Sequence, residues 1–136
     1  MSTAQVILHL TFNGECEAAF KLYEQCLGGK ITFLGKYGEA TKPPPSPELV
    51  DKVIHATLKV GDQTLTGLDV ANADYRPPQG FSVQLNVAGP EEAERIFQTL
   101  AESGKVVMPL QKTFWSPAFG VLTDRFGTPW EINCAS

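Results

Sequence analysis

Residues 10–33, LTFNGECEAAFKLYEQCLGGKITF, and residues 85–108, LNVAGPEEAERIFQTLAESGKVVM, are the two stretches on which the fold turns. Laid over each other at an offset of 75 residues, they agree where secondary structure is punctuated: Leu10 with Leu85, Gly14 with Gly89, Glu17 with Glu92, Ala18 with Ala93, Gly29 with Gly104 and Lys30 with Lys105. Each passes through an alternating run, a turn glycine, a stretch with one apolar stripe and a second alternating run. Agreement in register across a whole strand, helix and strand indicates an internal duplication.

The spacing of Cys16, Ala19, Phe20, Tyr23, Cys26 and Leu27 predicts a one-sided helix over residues 15–27, with Asn13 placed to cap its start and Gly28-Gly29 to end it. Ala93, Ile96, Phe97, Leu100 and Ala101 predict its counterpart over residues 90–102. Pro90 suits the first helical position, Glu91 and Glu92 the positive end of the dipole, and Gly104 the stop. Alternating runs predict strands at 30–36, 52–60 and 63–69 in the first copy and at 105–111, 120–124 and 130–134 in the second. Gly61-Asp62 and the Phe126-Gly127-Thr128-Pro129 link read as hairpin turns. Residues 38–48, with prolines at 43–45, read as a surface loop, and residues 71–79 as the linker between copies. The fold class is therefore α+β, two β-α-β-β-β modules over residues 4–70 and 80–136 within one domain of 136 residues.

Composition narrows the function. Hydrophobic residues at 43% and charged residues at 19% are those of a globular chain, and no apolar run approaches the roughly 18 residues of a membrane span. A net charge of −4 with no lysine or arginine cluster argues against nucleic acid and against an anionic membrane surface as partners. The first residues alternate like a strand and carry no cationic leader, so a cytoplasmic location is expected. Cys16, Cys26 and Cys134 have neither disulfide-framework nor zinc-ribbon spacing and read as small buried hydrophobes.

Because strand side chains alternate, each strand has a face for the helix and a face for something else. On the first strand Val6, Leu8, Leu10 and Phe12 form the packing set, leaving Ile7, His9 and Thr11 opposite. On the matching strand Val83, Leu85 and Val87 pack, leaving Ser82, Gln84 and Asn86. His55, Thr57, Thr64, Thr66, Glu131 and Asn133 join the second set. A face of hydroxyls, amides, two imidazoles and one carboxylate suits a sheltered small-molecule pocket better than bulk water, where mixed charges are expected.

The segment TFWSPAFGVLTDRFGTPWEIN, residues 113–133, together with LTFNGECEAAFKLYEQCLGG, residues 10–29, resembles the PhnB-like branch of the vicinal-oxygen-chelate superfamily, which holds glyoxalases, bleomycin-resistance proteins and extradiol dioxygenases. The resemblance implies paired modules forming a cupped mixed sheet with helices on its outer face, and commonly a homodimer. Metal-using members hold a divalent ion with His or Gln from the first strand of each module and Glu from the last. Matched position by position, Glu131 takes the last-strand place in the second module and Thr66 the same place in the first, while His9 and Gln84 lie one inward step from the strict first-strand register. The divalent-metal quartet is thus incomplete, with His9, Gln84 and Glu131 as its candidate ligands.

Two readings stay open. One is a lyase, isomerase or dioxygenase acting on a small oxygenated metabolite, with Glu131 and His9 catalytic and Gln84, Thr66, His55, Trp115 and Phe114 binding substrate. The other is a protein that binds or sequesters a small molecule, as antibiotic-resistance members do. Phe114 and Trp115 precede a Ser116-Pro117 turn read as flexible, where they suit a pocket wall, the core or a dimer interface. Although proteins of this type often carry a demethylubiquinone methyltransferase label, the chain has no glycine-rich strand-to-helix turn of the kind that binds a nucleotide-like methyl donor.

Overall fold

The computed structural model describes residues 3–135, and Ser136, where the second predicted module ends, lies outside them. Clustering of contacts divides the chain at Tyr75 and Arg76 into two compact units, each holding one copy of the duplicated motif. The first unit runs β1 (Leu8–Phe12), α1 (Cys16–Leu27), β2 (Lys30–Lys36), β3 (Val53–Val60) and β4 (Gln63–Asp69). Its four strands form one mixed sheet in the order β1-β4-β3-β2, with β1 parallel to β4 and the other pairs antiparallel. The second repeats the plan with β5 (Val83–Val87), α2 (Pro90–Ala101), β6 (Lys105–Gln111), β7 (Phe119–Thr123) and β8 (Pro129–Cys134), in the order β5-β8-β7-β6. This is the α+β, twice-repeated β-α-β-β-β architecture expected from the sequence.

In each unit one sheet face packs on the helix. From α1, Cys16, Ala19, Phe20, Tyr23 and Cys26 are buried, meeting Leu10, Phe12, Ala56 and Leu58 of the sheet, and Phe20 stands edge-on to Phe12 at 6.0 Å. Gly67 is glycine because an added Cβ would lie 2.9 Å from two atoms of the Phe20 ring. From α2, Ala93, Ile96, Phe97 and Leu100 are buried over Leu122, Trp130 and Ile132.

Helix ends and loops depart from the sequence reading in instructive ways. Asn13 does not cap α1: its amide donates to Asn72 Oδ1, and the cap position falls to Glu15, which makes no side-chain cap bond. The first helical N–H, of Cys16, instead donates to Asp69 Oδ1 at 2.9 Å, and Asp69 Oδ2 accepts the N–H of Val53 at the start of β3. Gly28 ends the helix in the left-handed region as expected, but after α2 it is Ser103 that takes φ 60. Gly104 serves a close approach: a Cβ there would meet the Thr123 carbonyl oxygen at 2.4 Å. Val6 lies ahead of β1 and is exposed, so it is not in the packing set. The first irregular stretch has a 3-10 turn at each end, Tyr37–Glu39 and Pro47–Leu49, and the second has one at Asn72–Asp74. The Ser116-Pro117 turn is anchored rather than flexible, because Ser116 is buried with its hydroxyl within 2.7 Å of the Cys134 carbonyl and 2.8 Å of that of Ala118.

In the second unit Asp124 holds the β7–β8 hairpin. Its Oδ1 accepts the N–H groups of Phe126 and Thr128, and its Oδ2 accepts the indole N–H of Trp130 at 2.9 Å. At the far edge, among the described residues, β6 pairs with β7 on one side alone, and Val106, Val107 and Met108 are exposed ahead of Pro109.

All three cysteines are buried thiols outside any disulfide, and burial, with the Asp69 and Glu17 charges adding to it, pushes the Cys16 thiol far up. Thiolate is the reactive form. An aryl disulfide reagent is therefore expected to label none of the three in the native protein within minutes and all three in denaturant; rapid native labelling would contradict the packing described.

Candidate functional site

The face of each sheet turned away from its helix carries the candidate residues. In the first unit strand register builds a lateral row: Phe33 faces Thr57, Thr57 faces Thr66, and Thr66 faces His9. His9 Nδ1 and the Thr66 hydroxyl share a hydrogen bond of 2.7 Å, and His55 Nε2 and the Thr57 hydroxyl one of 3.2 Å. At the hairpin end Lys59 Nζ donates to Thr64 at 2.8 Å. Partial burial, and then the like charge of His55, hold the His9 imidazole below the ordinary histidine range. Removing His55 through His55→Asn should therefore raise His9 only part of the way, because burial is the larger cause, and NMR titration of the imidazole Cε1–H checks this. The lowered value also fixes a sign. Protonation is harder folded than unfolded, so the His9 contribution erodes stability as pH falls below about 6.5 and leaves it untouched above.

In the second unit the same register places Gln84 opposite Glu131 and Asn86 opposite Asn133. Because β1–β4 and β5–β8 are equivalent parallel pairs, His9 and Gln84 occupy one repeated position and Thr66 and Glu131 another. Asn86 Oδ1 accepts from Asn133 Nδ2 at 3.0 Å and from Gln84 Nε2 at 3.4 Å. Two acceptors are left over. The Glu131 carboxylate is half-buried and has no hydrogen-bond or ion-pair partner among the described residues, and Asn133 Oδ1 is buried without a partner. Buried acceptors are normally satisfied, so Asn133 Oδ1 calls for a donor that no described residue supplies.

Trp115 flanks that face. Its ring packs edge-on to Phe119 at 5.2 Å, and Phe119 is the cross-strand partner of Asn133. Phe114 touches the Trp115 ring but is 97% exposed, so it walls nothing within its own unit.

The structure thus gathers His9, Thr66 and His55 on one face in the first unit, and Gln84 and Glu131 on one face in the second, with Trp115 beside the latter. Sequence reasoning missed Phe33, which is 54% exposed and packs 6.0 Å from the His55 ring. Its alternation with Ile31 was visible, but the irregular β2–β3 pairing that presents it was not.

A divalent ion is poorly served within either unit. The first offers His9, with Nδ1 taken by Thr66, and a threonine where the repeat has Glu131; the second offers one carboxylate and one amide. Among the described residues no three of His, Cys, Asp and Glu come together. These donors fall short of the four-ligand site the resemblance implies.

Residues 4–133 match the model of the family described as 3-demethylubiquinone-9 3-methyltransferase. Protein YjdN of Escherichia coli (strain K12) is 32% identical over 134 residues, which is 92% of this chain and 91% of that protein. The crystal structure of protein PA1353 from Pseudomonas aeruginosa superposes with a TM-score of 0.89 at 43% identity, covering 97% of this chain and 98% of that one. A Bacillus cereus structure described as a putative 3-demethylubiquinone-9 3-methyltransferase, PhnB protein, gives a TM-score of 0.84 at 27% identity, covering 97% and 100%. More distant structures, including a glyoxylase/bleomycin resistance protein/dioxygenase domain, share the fold alone.

Proposed function

Because the chain belongs to the family described as 3-demethylubiquinone-9 3-methyltransferase, the PhnB-like branch of the vicinal-oxygen-chelate superfamily, we propose that it binds a small oxygenated metabolite on its polar sheet faces. One observation carries the reading: the Glu131 carboxylate and Asn133 Oδ1 lie without partners on the face away from the helix, waiting for the O–H or N–H donors of a ligand. A carboxylate so placed accepts a hydrogen bond from bound substrate, and with a sufficiently acidic donor it takes the proton, the first step of lyase and isomerase chemistry. In this reading Gln84 orients a ligand at Glu131 and Trp115 borders it, while His9, Thr66 and His55 offer the first unit's own polar face to a ligand; the protein works as a homodimer, as the family resemblance implies, and in the cytoplasm.

Methyl transfer is not part of the proposal. Both strand-to-helix turns carry a single glycine, at Gly14 and Gly89, in place of the glycine-rich turn that binds a nucleotide-like methyl donor. The second reading, binding without turnover, is favoured by Thr66, which stands where the repeat has Glu131 and leaves the first unit without a carboxylate at that position.

Incubating the full chain with a small-molecule extract, followed by mass spectrometry of what is retained and what is converted, tests both readings. Glu131→Gln is expected to cut conversion by about 100-fold or more if the carboxylate is the base. Retention without conversion in the parent would select the sequestration reading, and equal behaviour of parent and variant would remove Glu131 from the site.

A further inference from the structure

We infer that Phe33 is a stacking platform for an aryl or heteroaryl ring, so that the ligands of the first unit are ring compounds carrying a hydrogen-bonding oxygen. The inference rests on the small-molecule reading above and narrows it to a chemical class.

Phe33 is 54% exposed although it lies within β2. The β2–β3 register shifts on both sides of it, between Ile31 and Phe33 and again between Gly35 and Lys36. Such irregularities re-aim side chains, and here they present a large ring on the polar face. The ring does not stand free in solvent. A Cβ on Gly35 would lie 3.1 Å from Phe33 Cε2 and Cζ, so the missing side chain is what lets the ring lie against its own strand. His55 supports it from the neighbouring strand, with centroids 6.0 Å apart and planes at 46°. A ring already held in place loses little freedom when a ligand lands on it.

Its open side borders a cavity of about 220 Å³, also lined by Lys36, Glu39 and Ile54. The charged groups there are engaged elsewhere: Lys36 Nζ pairs with Glu17 at 3.5 Å, and Glu39 Oε1 accepts the Lys36 N–H at 2.6 Å. Most of the surface lining the cavity is apolar, and an uncharged ring fits it. Hydrogen-bonding groups begin one strand away, since Thr57 is the cross-strand partner of Phe33 and His55 that of Gly35. Cross-strand neighbours sit about 5 Å apart, which suits a ring on Phe33 whose edge oxygen reaches Thr57 or His55. A saturated ring would bury similar area but would gain nothing from the aromatic quadrupole.

The test titrates isotope-labelled full chain with phenol and, separately, with cyclohexanol, following the Gly35 amide and the His55 Cε1–H by NMR. Phenol is expected to shift both signals and to bind about fivefold more tightly than cyclohexanol, the range expected of one aromatic pair. Phe33→Leu should abolish that preference while leaving cyclohexanol affinity within about twofold, because the apolar area is largely kept. An unchanged amide spectrum away from β2 shows that this surface variant still folds. Equal affinity for the two probes, a preference that survives Phe33→Leu, or no binding of either overturns the inference. If the parent retains an extract metabolite in those cases, the wider small-molecule reading still stands; retention of nothing from the extract defeats the wider reading separately.

Discussion

Replacing Asp124 with alanine is expected to cost about 3–5 kcal/mol of stability, the largest effect of any substitution considered. The carboxylate is 3% exposed, and its loss strands the N–H groups of Phe126 and Thr128 and the indole N–H of Trp130. Each buried donor left without an acceptor costs roughly 1–3 kcal/mol, and water reaching the turn recovers part of the sum. Urea unfolding followed by tryptophan fluorescence reads the loss, since the Trp130 ring is fully buried. Asp124→Asn separates the contributions. Its oxygen can stay with the two backbone donors, which share Oδ1, while its amide then faces the Trp130 N–H across the 2.9 Å now spanned by a hydrogen bond. Asn should therefore fall between Asp and Ala, and adding Trp130→Phe should recover part of the loss by removing the opposed donor. A loss under about 1 kcal/mol in Asp124→Ala would mean that the hairpin satisfies its donors without the carboxylate.

The second large effect is expected at Asp69, where alanine should cost about 2–4 kcal/mol. Here the two oxygens are divided, Oδ1 to the Cys16 N–H at the helix start and Oδ2 to the Val53 N–H at the start of β3. Because each oxygen has its own donor, asparagine cannot keep both bonds, and Asp69→Asn should lie closer to alanine than Asp124→Asn does to its alanine. Hydrogen exchange of the Cys16 and Val53 amides localises the damage: both should lose protection together. Faster exchange at only one would show that the carboxylate does not clamp the two elements.

What the sequence revealed and what it hid follow one physical line. Features with a local period were legible. The stripes of α1 and α2, the hairpin at Gly61-Asp62 and the pairing of His9 with Gln84 through the repeat could all be read within a short window. The equivalence of Thr66 and Glu131 followed from matching the modules, and the strand register agrees with it. Bonds made across long stretches of chain were not legible. The donor at the start of α1 is satisfied from 53 residues away, which is why Asn13 looked like the cap. Asp69 ended an alternating run with nothing nearby to tie it to Cys16 or Val53, whereas the bonds of Asp124 stay within the β7–β8 hairpin. The indole N–H of Trp130, which needs an acceptor once buried, was the signal that pointed toward Asp124. Phe33 was hidden because bulged pairing leaves no trace in the alternation of a single strand.

The β6 edge has a consequence for how the protein behaves in concentrated solution. Three exposed apolar residues in a row on an edge strand are a template for another chain to add alongside, yet Pro109 follows them directly. Proline has no amide hydrogen to offer, so an incoming strand meets an interrupted ladder, and Lys105 and Lys112 at either end bring like charge against any identical neighbour. An exposed apolar edge is thus kept from offering a continuous ladder by one imino acid.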